Sequence, residues 1–174
     1  MSPPSNKLAI FSWCLYDFAN TIFSMNVISL YFALWVTVDH DGQDILYSTA
    51  LSLSMLAVAL SVPVFGALSD TTRKRRVPLI GLTLLCIFST GMIGTTNHLW
   101  TGLILFMVAN YGYQSALVFY NGMLPSISRG SHVGLVSGYG VALGYLGSIL
   151  GMVLVKPFVE SGGRSAAFLP TAGL

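Results

Sequence analysis

Five apolar runs, each about as long as a bilayer is thick, lie along this chain with only short polar links between them: residues 8–35, 47–69, 77–96, 99–123 and 133–155. A helix needs about 20 mostly apolar residues to cross a membrane. Charged residues make up 8% of the 174, whereas soluble domains carry roughly 25%, so the chain cannot cover a water-facing surface in the usual way. A sixth apolar run, at 166–174, is too short to cross and reads as a helix cut off inside the membrane. The expected fold class is an all-α membrane protein, a single transmembrane domain of five spans plus a truncated sixth.

The placement of charge tests this reading. With the N-terminus on side one and the links numbered alternately, side one receives Lys7, Arg73, Lys74, Arg75, Arg76 and Arg129, six of the eight basic residues. Side two receives Lys156 and Arg164 together with Asp39, Asp41, Asp44 and Glu160. Basic residues favour the cytoplasmic side of short links. The N-terminus is therefore expected in the cytoplasm, with the chain embedded in a bacterial inner or plasma membrane. The start "MSPPSNK" leads into a run too long for a cleavable signal core, so the first span is read as retained.

Several sites of chemistry are disfavoured by the same pass. Cys14 and Cys86 fall inside spans without zinc-ligand or CxxC spacing and read as soft apolar filler. Asp39, His40, Asp41 and Asp44 cluster in one link, but lack the twelve-residue spacing and closing Glu of a calcium loop; a solvated loop is the simpler reading. No metal, cofactor or nucleic-acid partner is expected, because "RKRR" is bracketed by spans and orients the chain. With neither paired carboxylates nor a His/Cys cluster, an enzyme is not expected.

Three helical faces carry information. In span one, at about 100° per residue, Asp17, Asn20, Thr21 and Ser24 fall together, with Trp13 and Tyr31 at the margins. Asp17 lies about 13 Å along the helix from Leu8. Ionisable residues at such depth are costly and usually mark a pathway; the competing account is a short carboxylate snorkelling to the headgroups. In span four Asn110, Gln114 and Asn121 share a face flanked by Tyr113 and Tyr120. Asn110 and Gln114 are read as lining a polar cavity, and the competing role is interhelical hydrogen bonding. In span five Gly140, Gly144, Gly147 and Gly151 form a narrow stripe for close helix packing, either static or permitting one helix to rock on another. Span three has no such stripe and reads as an outer, lipid-facing helix.

These residues resemble the major facilitator superfamily. "GALSDTTRKRR" is similar to its motif between helices two and three, at Gly66, Leu68, Asp70, Lys74 and Arg75. It departs at Thr71, where a basic residue is expected, and at Arg73, where glycine is. "WCLYDFANTIFS", "YNGMLPSIS" and "SGYGVALGYLGS" resemble a narrower family, the vacuole effluxers of amino acids. The arginine that some superfamily members carry in helix four is absent.

The resemblance implies a twelve-helix transporter in two halves around a central cavity lined by helices one and four. Its three-helix repeats are related by inversion. This chain would be the N-terminal half, with the C-terminal half as its missing partner and the lipid bilayer around it. The expected function is secondary transport of a small solute, amino acids being the class implied, by alternating access. Asp17 would then be the proton- or ammonium-sensing group, and Asn20, Thr21, Asn110 and Gln114 would be polar pathway residues. Gly66, Asp70, Lys74 and Arg75 would form the gating motif. A non-transporting scaffold or receptor is the rival, with the glycine stripe as an assembly surface.

Overall fold

The computed structural model describes residues 7–72, 75–128 and 132–174. Every regular element among them is helical. Helix α1 covers Lys7–Asp39, α2 Asp44–Thr72, α3 Arg76–Ile93, α4 Leu99–Ile127 and α5 Val133–Gly162. A 3-10 turn, Arg164–Ala167, then leads into the short α6, Phe168–Gly173. The first five are long and apolar enough to cross a membrane. The fold class is therefore the all-helical membrane bundle that the hydropathy demanded.

Links this short force successive helices to run antiparallel, and side chains at the two ends confirm the alternation. At one end His40, after α1, meets the carbonyl of Asn97 between α3 and α4, while Asp39 pairs with Arg164 between α5 and α6. At the other, Arg75 between α2 and α3 reaches the carbonyl of Gly122 near the close of α4. We call these the acidic and the basic end.

Helix α4 is the central post. Half of its apolar stretch is buried, against 11% for α2, and it packs on both α2 and α3. Helix α5 lies along α1, and α6 rests on α3. One core cluster, towards the acidic end, is aromatic: Phe32 stacks on Phe106 with centroids 4.2 Å apart and meets Trp35 and Phe168. A second gathers Trp13, Cys14, Leu79, Phe119 and Tyr120. Between them the rim of the bundle stays apolar, with Leu60 and Val64 of α2, Phe88 of α3 and Tyr145 of α5 all exposed.

Helix α1 departs from the regular winding that the sequence pattern assumes. Over Ser24–Tyr31 and again over Trp35–Asp39 it widens to π-helical turns, and the N–H of Phe32 bonds the carbonyl of Val27, five residues back. Wide turns of this kind are rare and concentrate at functional sites. The 100° wheel therefore holds only to about Phe23. Beyond it both Asn26 and Val27 become fully buried, although they are adjacent and one is polar.

Candidate functional site

The middle of α1 is enclosed by three neighbours. On the α5 side the glycine stripe comes close. A methyl group on Gly144 would lie 2.8 Å from Thr21 Oγ1 and 3.3 Å from Asp17 Oδ2, and one on Gly140 would lie 3.4 Å from Asp17 Oδ2. Gly147 faces the Phe18 backbone and Gly151 the Ile22 side chain. All four stripe glycines are buried. Only residues without a side chain let two helix backbones approach like this.

On the α4 side the seal is aromatic. Trp13 and Tyr120 stack with centroids 4.4 Å apart and planes 7° from parallel. The indole N–H of Trp13 donates to the Tyr120 carbonyl at 3.2 Å, and the Tyr120 hydroxyl donates to the Trp13 carbonyl at 3.2 Å. That same hydroxyl lies near the Asp17 carboxylate, although its hydrogen bond goes to Trp13. Among the described residues no ion pair involves Asp17. Thr21 donates to the backbone carbonyl of Asp17 at 2.8 Å, so its hydroxyl is turned to its own helix and not to the carboxylate.

Asn20 takes the third direction. It lines a cavity of about 140 Å³ between α1, α3, α4 and α6, with Tyr16, Thr83, Cys86 and Tyr113. The Tyr16 and Thr83 hydroxyls are 2.9 Å apart across it. A water occupies about 30 Å³ in the liquid, so this cavity is large enough for a few waters or one small solute. The polar face of span one is thus split. Asp17 and Thr21 look to α5 and Tyr120, and Asn20 looks to α3.

Asn110 does not line that cavity. It is fully buried, and its Nδ2 donates to Ser54 Oγ of α2 at 2.7 Å, which is the interhelical role weighed against cavity lining above. Its Oδ1 has no partner among the described residues. Gln114, one turn further along the same face, is half-buried, while Asn121 is exposed. The helical wheel puts these residues on one face, but the structure buries Asn110 fully and leaves Asn121 exposed, and the wheel cannot say which neighbour each one meets.

Of the residues expected to form a gating motif, Asp70 and Arg75 sit at the basic end. Arg75 spreads its guanidinium over three groups: Nε donates to Ser69 Oγ at 2.8 Å, Nη1 to the Gly122 carbonyl, and Nη2 to Asp70 Oδ1 at 3.3 Å. Gly122 belongs to this nook, since a methyl there would meet Ser69 Oγ at 3.1 Å. A methyl on Gly66 would meet nothing within 4 Å. Lys74 lies outside the described residues. Sequence reasoning placed Tyr120 only at a margin and missed Ser69 and Ser54. The seven-residue step from Tyr113 to Tyr120, two helical turns, was the available signal that one aromatic face of α4 meets α1.

Among the described residues no group of three or more His, Cys, Asp or Glu could hold a metal ion. A bundle of antiparallel apolar helices holding a half-buried carboxylate that has no ion-pair partner among the described residues, with a small and mainly apolar cavity nearby, is the architecture of a polytopic membrane protein. Residues 16–174 match the Major Facilitator Superfamily, and the chain belongs to that superfamily. It is 30% identical over 155 residues to an uncharacterized protein of Aquifex aeolicus (strain VF5), covering 87% of this chain and 39% of that one. It is 27% identical over 152 residues to the uncharacterized MFS-type transporter YxiO of Bacillus subtilis (strain 168), covering 82% and 36%. The chain thus spans well under half the length of these relatives. No solved structure matches it.

Proposed function

We propose that this chain is the N-terminal part of a secondary active transporter that moves a small solute by alternating access, with amino acids as the substrate class. The observation that carries the reading is Asp17. A carboxylate within a span costs about 2.5–3.5 kcal/mol on insertion scales, and here a tyrosine hydroxyl lies near it while no ion pair reaches it among the described residues. A structural role would be served at lower cost by a neutral amide. An ionisable group there can answer to a proton or to a substrate ammonium.

The superfamily supports transport as the activity, and the narrower vacuole-effluxer resemblance supports amino acids. The C-terminal half of the transporter is the partner that the reading requires. Asn20 and the cavity beside it offer polar contacts to a solute. Asn110 and Gln114 join the pathway if the contact of Asn110 with Ser54 opens during the cycle. Arg75, Asp70, Gly66 and Lys74 form the gate at the basic end, which lies in the cytoplasm with the N-terminus.

The test is flux. The full-length protein in proteoliposomes, offered amino acids under an imposed proton gradient, should show substrate-dependent uptake or release that collapses with the gradient. Stable folding with no flux for any solute class would favour the scaffold reading.

A further inference from the structure

At the basic end a hollow of about 700 Å³ lies between the close of α2, the start of α3 and the close of α4. Asp70, Arg75 and Arg76 stand around it, and Val77, Met123 and Ile127 form apolar walls. A water takes up about 30 Å³ in the liquid, so the hollow is larger than a bare ion and its nearest waters would fill. Pockets of roughly 300–1,000 Å³ hold whole small molecules.

The charge around the hollow is positive and only partly neutralised. Asp70 is the one acid among the lining residues, and Arg75 meets it at 3.3 Å. An arginine has five N–H donors; three of those on Arg75 go to Ser69, Gly122 and Asp70, so two remain. Arg76 is exposed, and among the described residues no ion pair involves it. The bases of the acidic end differ, since Lys156 is paired with Glu160 and Arg164 with Asp39. The Ser126 hydroxyl at the rim is turned to its own helix, donating to the Met123 carbonyl. Arginine forks suit phosphate oxygens in particular.

Below the hollow the outside of α3 is apolar. Arg76 is the first residue of that span, and Val77, Ile80, Leu84 and Phe88 follow it as exposed side chains. Steps of three and four residues keep them on one helix face. A methyl on Gly81, on the same face, would meet nothing within 4 Å, so the row carries a shallow groove. From Val77 to Phe88 it runs about 16 Å at 1.5 Å per residue, half of the roughly 30 Å hydrocarbon core. A cation at the rim above an apolar track one leaflet deep is complementary to an amphiphile with an anionic head. A soluble phosphate would use the arginines and leave the track empty. We propose that the hollow binds the phosphate head of an anionic phospholipid, with Arg76 as its main contact and an acyl chain along α3. Basic pockets between spanning helices hold such heads by the same attraction. The run "RKRR" then does more than orient the chain.

The test is native mass spectrometry of the full-length protein in detergent, titrated with phosphatidylglycerol and with phosphatidylcholine of the same chains. Phosphatidylglycerol should bind about fivefold tighter, the effect of one basic residue near a membrane surface. Arg76→Gln should make the two lipids equal, and Arg76→Lys should keep most of the preference. Lys156→Gln, at the other end, should change nothing. Inorganic phosphate in large excess should leave phosphatidylglycerol bound, because it has no chain for the α3 track. A preference that survives Arg76→Gln, because another part of the protein covers the hollow or because other bases carry it, would overturn the site. So would an equal loss in Lys156→Gln, which would make the preference one of net charge. Displacement by inorganic phosphate would assign the hollow to a soluble phosphate and overturn the lipid.

Discussion

The carboxylate of Asp17 lies against the backbone of Gly144, close enough that a methyl group on the glycine would sit 3.3 Å from Oδ2. A membrane carboxylate normally meets side chains. Here one wall is bare helix, because the stripe of α5 supplies none. The relationship links two sequence features that looked separate, the charge in span one and the glycines in span five. The stripe both packs α5 on α1 and forms one wall beside the acid.

The stripe can be tested where the neighbour cannot move. A methyl on Gly147 would fall on the Phe18 carbonyl, part of the α1 backbone, whereas one on Gly134 would meet nothing within 4 Å. Overpacking costs about 1–3 kcal/mol. Gly147→Ala should therefore lower the folded yield and unfolding temperature in detergent, and Gly134→Ala should leave both unchanged. Matching losses in the two variants would mean that α5 does not pack on α1 in this register.

Arg75 and Asp70 should separate sharply although they form an ion pair. The Asp70 side chain is 80% exposed and the Arg75 side chain 22%, and an exposed pair is worth about 0–1 kcal/mol. The buried part of the work is done by the arginine fork on Ser69 and Gly122, and a lysine ammonium cannot reproduce that planar geometry. Arg75→Lys should destabilise the protein in a denaturant titration by more than Asp70→Asn. Equal effects would assign the stability to the ion pair.

The orientation of the bundle is open to labelling. Gln43 and Thr71 are exposed at opposite ends, while Cys14 and Cys86 are buried. In a background without those two thiols, a cysteine at Gln43 should react with an impermeant reagent in intact cells. One at Thr71 should react only after permeabilisation. The reverse pattern would place the N-terminus outside and overrule the charge bias.

Asn110 distinguishes a packing role from a pathway role. Its hydrogen bond to Ser54 at 2.7 Å joins α4 to α2, and such bonds in membranes average about 0.6 kcal/mol, with a maximum near 1.7. A double-mutant cycle of Asn110→Ala with Ser54→Ala should return a coupling energy in that range. Zero coupling with lost flux would instead make Asn110 a pathway contact.

How much of this was legible beforehand follows from the range over which each signal acts. The spans and their alternation could be read because hydropathy and loop charge are properties of single segments. The stripe on α5 could be read because period and residue size suffice. The partner of each face could not. Asn110 meets Ser54, and Asn20 shares a cavity with Thr83, through the choice of helix neighbours, which depends on the whole bundle. The wide turns after Ser24 also escaped, since nothing in "SMNVISLY" differs in composition from an ordinary α-helical run. His40 looked like one residue of a solvated acidic link because its partners are backbone carbonyls, and every residue has one.

The last prediction concerns the reason for a carboxylate in α1. The Tyr120 hydroxyl has one proton, which it donates to the Trp13 carbonyl, and the Asp17 carboxylate lies near it. When Asp17 is ionised, the carboxylate competes for that proton, and charge-assisted hydrogen bonds are roughly twice as strong as neutral ones. When Asp17 is protonated, it can donate to the tyrosine oxygen, and the hydroxyl is free for the Trp13 carbonyl. The proton on Asp17 thereby changes how α1 is tied to α4. Asn at this position matches the shape and can donate to Tyr120 through its amide, but it cannot ionise. In the complete protein Asp17→Asn should leave expression and detergent stability close to wild type, while transport loses its dependence on pH or on a coupling cation. Tyr120→Phe should keep the carboxylate and weaken that dependence only in part, because the ring stack with Trp13 remains. The measurement is flux in proteoliposomes across a pH series for the three proteins. An Asp17→Asn protein whose flux still follows pH as the wild type does would make Asp17 a structural residue.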